Sequence, residues 1–424
     1  MMHLFKISEQ RKQGSLFGTI NLFLLLSLSG INFFSDNENL LIVVFLINLL
    51  VFLFKNEKID NGFLGFLLFF IFLSIGQLIW LSNGNLKSSL GFFLRLLTAY
   101  LALRNTTDFI QTYLRLLFFL SIAAIFFYIF FLIFPAIEEQ FFVNKHFWDS
   151  PSTNDVKKSL IIYNIFREPL AGADSLGLFG LPRNSGPFWE PGAFAGYLTI
   201  GIVFEMILLR KVTTRVVIFL VALLSTFSTM GYLALAFFFL LYFLFLETNK
   251  KLKWVIFPVL LASIVYLILE VDFLANKIAA QVKGFEEGQI YLGQSDDDTR
   301  IGSTVLDFKD FQRSPVLGTG PSDETRYGKS EILFMRTNGV TDMLVRFGLI
   351  GFVFILYFFS VSVRRYFSRM EISKPKVSAN ILIFVIFLIA LSETYFNMPF
   401  FWSLFLLRYA ETAPDESSYE IVDR

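Results

Sequence analysis

Continuous apolar runs recur along this chain, and no other feature restricts its fold as strongly. They fall near residues 16–34, 39–54, 63–81, 88–103, 113–134, 190–209, 214–229, 231–246, 254–270, 342–361, 379–396 and 398–409. A helix crosses a hydrocarbon layer of about 30 Å with about 20 residues, and most of these runs are near that length. Membrane β-barrels use alternating strands of about ten residues, which continuous runs do not supply. The pattern predicts an all-α polytopic membrane protein of about twelve transmembrane helices. Composition agrees, with 55% hydrophobic residues against 17% charged and a mean hydropathy of +0.62.

Short loops set the orientation. Lys and Arg collect in alternate connections: Lys6, Arg11 and Lys12, then Lys55 and Lys58, Arg104, Arg210 with Lys211 and Arg215, Lys250 with Lys251 and Lys253, and Arg364 with Arg365 and Arg369. The intervening connections are poor in positive charge apart from Lys87, so both termini are expected in the cytoplasm, with a retained first helix. The division expected is helices one to five over 1–134, a first large outer loop over 135–189, helices six to nine over 190–270, a second outer loop over 271–341, helices ten to twelve over 342–409, and a polar, acidic tail over 410–424. Apolar residues of the second loop recur at helical spacing, among them Ile301, Val305, Leu306, Phe308 and Phe311, predicting short amphipathic helices on the membrane surface.

Composition also narrows the chemistry. The chain has no Cys and two His, which excludes disulfides, Cys nucleophiles and a His cluster for a metal. Any reaction therefore uses carboxylates, Arg, Lys or Tyr, and no cofactor is expected. A net charge of +1 names no partner beyond the lipid bilayer, and a nucleic acid is not expected. Gly328, Lys329 and Ser330 end like a phosphate-binding loop, but Asp323 stands where its upstream glycine belongs.

The stretch RNSGPFWEPGAFAG, from Arg183 to Gly196, joins the first outer loop to the sixth run. Pro191 suits a first helical turn and Glu190 the position before it, while Gly192, Ala193, Ala195 and Gly196 admit a close neighbour. Arg183 and Glu190 are the candidate pair for holding a phosphate and a sugar. A capped helix beneath an aromatic belt is the structural alternative. RTNGVTDMLVRFGLIG, from Arg336 to Gly351, opens the tenth run in the same way. Arg336 and Asn338 stand at its mouth, and Asp342 and Arg346 are spaced to pair. Arg95 falls inside the fourth run, where a charge is costly, and Glu393 and Tyr395 lie near the outer end of the eleventh. Glu205 reads as half of a structural pair with Arg210 or Lys211.

These segments resemble the O-antigen polymerase and ligase superfamily. Arg183, Gly186, Glu190 and Pro191 match its loop motif; STFSTMGYLA, from Ser225, is similar to its turn between two helices, with Thr229 or Met230 where Arg is common; LGTGP and TNGVTDMLVRFGLIG are similar to its closing motif. Thr337 occupies the position where ligases carry His, which favours a repeat-unit polymerase. The resemblance implies a GT-C-like glycosyltransferase bundle with two large extracytoplasmic loops, in a bacterial inner membrane with its active face periplasmic. It implies metal-independent inverting transfer between undecaprenyl-pyrophosphate-linked oligosaccharides, alongside a flippase and a chain-length regulator. Arg183, Arg336 and Arg95 would then hold the pyrophosphate and Glu190 would accept the hydroxyl proton. A glycan ligase, and a transporter of lipid-linked sugar, fit the same architecture.

Overall fold

In a computed structural model the chain is described over residues 16–31, 34, 37–81, 85–135, 137, 143–144, 158–160, 162–166, 182–247, 300–326 and 337–411. The helices are α1 (Leu16–Ser27), α2 (Glu38–Phe54), α3 (Asn61–Trp80), α4 (Leu86–Asn105), α5 (Phe109–Ile133), α6 (Pro191–Leu209), α7 (Thr214–Ser225), α8 (Thr229–Leu241), α9 (Arg300–Arg313), α10 (Gly339–Arg369), α11 (Pro375–Ala390) and α12 (Pro399–Phe405). Their starts follow from local chemistry. Side-chain oxygens of Asn37, Asp60, Asn85, Thr213, Ser228 and Asn338 accept hydrogen bonds from first-turn amides of α2, α3, α4, α7, α8 and α10. Proline opens α6, α11 and α12, where its missing N–H costs nothing.

Among the described residues, six helices are long and apolar enough to cross a membrane: α3, α4, α5, α6, α8 with its continuation to Leu246, and α10. Large apolar side chains turned outward, such as Phe72, Ile79, Phe119 and Tyr357, form the surface that a bilayer covers. α6 differs, since its residues from Pro191 to Ile207 are all buried, which makes it the axis of the bundle. Tyr113 donates to the Tyr197 carbonyl (2.7 Å), and the Tyr197 hydroxyl donates to the Ser29 carbonyl, tying α5 and the end of α1 to that axis.

Two expectations change. The run at 398–409 yields only the seven-residue α12 and a 3-10 turn from Leu407 to Tyr409. A helix of that length reaches about 10 Å, and every residue of α12 is buried, so this part of the run lies inside the bundle and away from its outer surface. α10 in turn is interrupted at Gly348, whose φ of 62° and ψ of −176° are non-helical. Residues 315–320 fill the break: Leu349 and Ile350 donate to the carbonyls of Pro315 (2.8 Å) and Val316 (3.3 Å), while Thr319 and Gly320 donate to those of Val345 (2.8 Å) and Arg346 (3.0 Å). Gln77 of α3 adds bonds to the carbonyls of Leu317 (2.6 Å) and Arg346 (2.8 Å). An irregular backbone within a membrane bundle is tolerated when protein satisfies it in this way. The run at 254–270, the candidate surface segment before α9, and the tail beyond Glu411 lie outside the described residues.

The first long loop contributes a small antiparallel sheet, β1 (Val143–Asn144), β2 (Lys158–Leu160), β3 (Tyr163–Phe166) and β4 (Arg183–Asn184), in that order. Connections sort to two ends. Arg104 pairs with Glu57 (2.7 Å), Arg210 donates to the Ser373 carbonyl (2.9 Å) and Arg369 to that of Arg408 (2.6 Å), gathering the described basic loops at one end. The Ile31 to Phe188 bridge, the Asn85 to Glu324 bond (3.2 Å) and the Asn397 to Asp342 bond (3.4 Å) gather the others at the opposite end.

Gly348→Ala is expected to lower stability by at least about 2 kcal/mol, because it adds left-handed strain and a Cβ pressed onto the backbone of Val316 and Gly318. Gly91→Ala, in the open on α4, should be neutral or slightly stabilising. Thermal unfolding of the detergent-purified protein compares the two.

Candidate functional site

The loop leading into α6 is held rigidly. Gly186 adopts φ +53°, a conformation that favours glycine, and its amide donates to Asn184 Oδ1 (2.9 Å). Asn184 Nδ2 reaches Ser225 Oγ (2.8 Å), and Asn164 Nδ2 bonds the Phe188 carbonyl (3.1 Å). β4 thereby fixes Arg183, whose Nε donates to the Thr226 carbonyl (3.3 Å) at the turn between α7 and α8. Two of the sequence motifs meet there. Glu190 occupies the position before α6 in extended conformation (φ −152°, ψ 163°), as expected, but its side chain does not cap the helix.

The carboxylate instead turns toward Glu393. A Cβ on Gly192 would stand 2.7 Å from Glu393 Oε1 and 3.0 Å from Glu190 Oε1, so both acids converge on the bare first turn of α6. Glu393 belongs to the irregular turn between α11 and α12 and is buried. Its carbonyl lies against Gly339, the first residue of α10, where any side chain would collide with it. Gly231 brings the first turn of α8 equally close to Ala195 of α6. Glu190 and Glu393 thus lie at the N-terminus of α6 and beside that of α10, while Arg183 is held at the turn leading into α8; the partial positive charge of a helix N-terminus favours an anion.

Other expected residues have different placements. Tyr395 is fully buried, and its hydroxyl donates to the carbonyls of Gly192 (3.1 Å) and Ala193 (3.2 Å), so it seats the turn on α6. Asn338 caps α10 by accepting from Val340 (3.1 Å) and Thr341 (3.2 Å), while its Nδ2 donates to Thr304 (2.9 Å). Asp342 pairs with Arg346 as its spacing predicted (2.7 Å), and also with Arg326. Arg95 stands on an exposed face of α4, and Arg336 lies outside the described residues. Glu205 is structural as expected, though its partners are Thr213 (2.8 Å) and Arg215 (3.5 Å).

Arg326 is the residue that sequence reasoning missed. It is buried beside Asp342, Asp307 (3.8 Å) and Asp310 (3.9 Å). Burial pushes its guanidinium below the usual arginine pKa, and the three carboxylates act in the opposite direction. α9 is helical as predicted, yet it turns Ser303, Asp307 and Asp310 inward and leaves Phe308 outside. The signal was present in the spacing of 303, 307 and 310 on one face, but its partner lies beyond the helix. The network anchors the second loop to the mouth of α10.

Arg326→Ala should cost about 3–5 kcal/mol, since it strands buried carboxylates, whereas Lys87→Ala, which removes a solvent-exposed pair with Glu38, should leave the melting temperature unchanged. No protein-family model, no curated protein and no solved structure matches this chain.

Proposed function

We propose that the protein is a membrane glycosyltransferase that polymerises undecaprenyl-pyrophosphate-linked oligosaccharide repeat units. The observation that carries this reading is the convergence of Glu190 and Glu393 on the first turn of α6, beside the start of α10, at the end of the bundle where Arg183 is fixed to the turn leading into α8. The opposite end gathers the described basic loops. By the positive-inside rule that end is cytoplasmic, which puts the carboxylates on the periplasmic face. The apolar runs of the sequence add up to about twelve spans, and with that number the same rule puts both termini in the cytoplasm.

The chemistry follows from the residue types. A hydroxyl oxygen of the acceptor sugar attacks the anomeric carbon of the donor as the bond from that carbon to the pyrophosphate oxygen breaks. The bonding pair leaves with the pyrophosphate and the configuration inverts. Arg183 and the helix N-termini stabilise the departing charge, an arrangement suited to anions. Glu190 takes the hydroxyl proton. Glu393 accepts hydrogen bonds from sugar hydroxyls and sets the acceptor's position relative to Glu190. Thr337, where ligases of the resembled superfamily carry His, favours a second repeat unit as acceptor. Transporters also contain broken helices, but the groups freed at Gly348 are taken up by residues 315–320 and Gln77, so the break in α10 does not favour transport.

Deleting the gene is expected to remove long glycan chains while single repeat units are still exported. Wild type should restore the ladder. Arg183→Ala and Glu190→Gln, at equal membrane abundance, should not, because loss of a general base costs roughly 10²–10⁴-fold in rate. Normal chain length in Glu190→Gln would remove Glu190 from the mechanism.

A further inference from the structure

At the basic end, the ends of α3, α10 and α11 and the 407–409 turn enclose a cavity of about 480 Å³. Five cations line it, Arg364, Arg365, Arg369, Lys376 and Arg408, against one carboxylate, Asp60. That carboxylate is already engaged, since Asp60 Oδ1 accepts from the Gly62 amide (2.7 Å). Two of the cations form the frame: Arg369 donates to the carbonyls of Leu407 (3.3 Å) and Arg408 (2.6 Å), and Arg408 stacks over Phe358 (5.6 Å) and Tyr409 (4.9 Å). Arg364 donates from Nη2 to Asn380 (3.1 Å), and its buried Nε has no hydrogen-bond partner among the described residues. Arg365 and Lys376 are exposed at the rim. Positive charge is thus held around an open volume without matching negative charge.

Two of the helices that border the cavity continue into apolar surface. On α3, Leu64 and Leu68 follow Asp60 at four and eight residues and are 44% and 42% exposed. On α10, Val353 and Tyr357, 54% and 68% exposed, precede Arg364 at helical spacing on the same face. A ligand seated here meets cations at its head and a bilayer-facing surface below. We propose that this cavity binds the phosphate headgroup of an anionic phospholipid from the leaflet at the basic end, with the acyl chains lying along α3 and α10. Basic pockets between helices at a membrane surface recognise such headgroups. The proposal is independent of the glycosyl-transfer reading, whose site lies at the opposite end.

Native mass spectrometry of the full, detergent-purified chain tests it, with phosphatidylglycerol and phosphatidylcholine as probes. Phosphatidylglycerol should bind at least about 10-fold tighter, and Arg365→Ala with Lys376→Ala should lose about 10-fold or more of that affinity. Lys58→Ala, an exposed cation at the same end outside the cavity, should change nothing. On the wild type alone, solution binding measurements should show the preference collapsing in about 1 M salt. Equal binding of the two lipids, or an unaffected double variant, would overturn the proposal. Inorganic phosphate binding as tightly as phosphatidylglycerol would assign the cavity to a soluble anion instead.

Discussion

The buried Asp342 carboxylate holds together the mouth of the bundle opposite the basic loops. Arg326 reaches it from the second loop, Arg346 from one turn further along α10 (2.7 Å), and Asn397 from the turn after α11 (3.4 Å). A charge removed from water this completely needs partners on several sides, and those partners come from separate segments. Satisfying Asp342 therefore brings α9, the start of α10 and the 391–398 turn into one position. Glu393 sits in that turn, so its approach to Glu190 depends on the same network. Residues 315–320, threaded into the break at Gly348, complete the anchor by bonding both sides of the interrupted helix.

Around this anchor, the bundle separates two kinds of surface. α6 is buried along nearly its whole length, and the small residues at its start admit Tyr395, Glu393 and the first turn of α8 to within contact of its backbone. Larger residues there would push away the groups that form the candidate site. The outer helices instead turn Phe, Leu and Ile toward the bilayer, where burial against lipid costs nothing and exposure to water would be unfavourable. Charge follows a second division, with carboxylates meeting helix N-termini at one end and arginines lining a cavity at the other.

Much of this was legible in the chain. Apolar runs display helices directly, and alternate basic loops display their gathering at one end of the bundle, because lipid requires long apolar runs and keeps charge at the ends of the spans. Glu190 and Pro191 marked the start of α6 because a proline at a helix start carries a strong local signal. Gly318 and Gly320 of LGTGP both adopt positive φ, which favours glycine. Gly348 gave no such signal, since a glycine between Phe347 and Leu349 reads as a packing residue until the inserted loop is seen. Arg326 was hidden for a related reason: its carboxylates lie 16 to 19 positions away, beyond any helical spacing. The run at 398–409 gave no sign that its helix is short and wholly buried, because apolarity is shared by a membrane span and a buried core helix.

The central claim is that the outer mouth makes and breaks glycosidic bonds. Its most direct test is reconstitution of the purified protein in liposomes with an undecaprenyl-pyrophosphate-linked repeat unit as sole substrate. Chains of several units, with one undecaprenyl pyrophosphate released for each bond formed, are the expected result, and both should be absent in Glu190→Gln. Substrate that remains as single lipid-linked units, including units merely moved to the other leaflet, would contradict it.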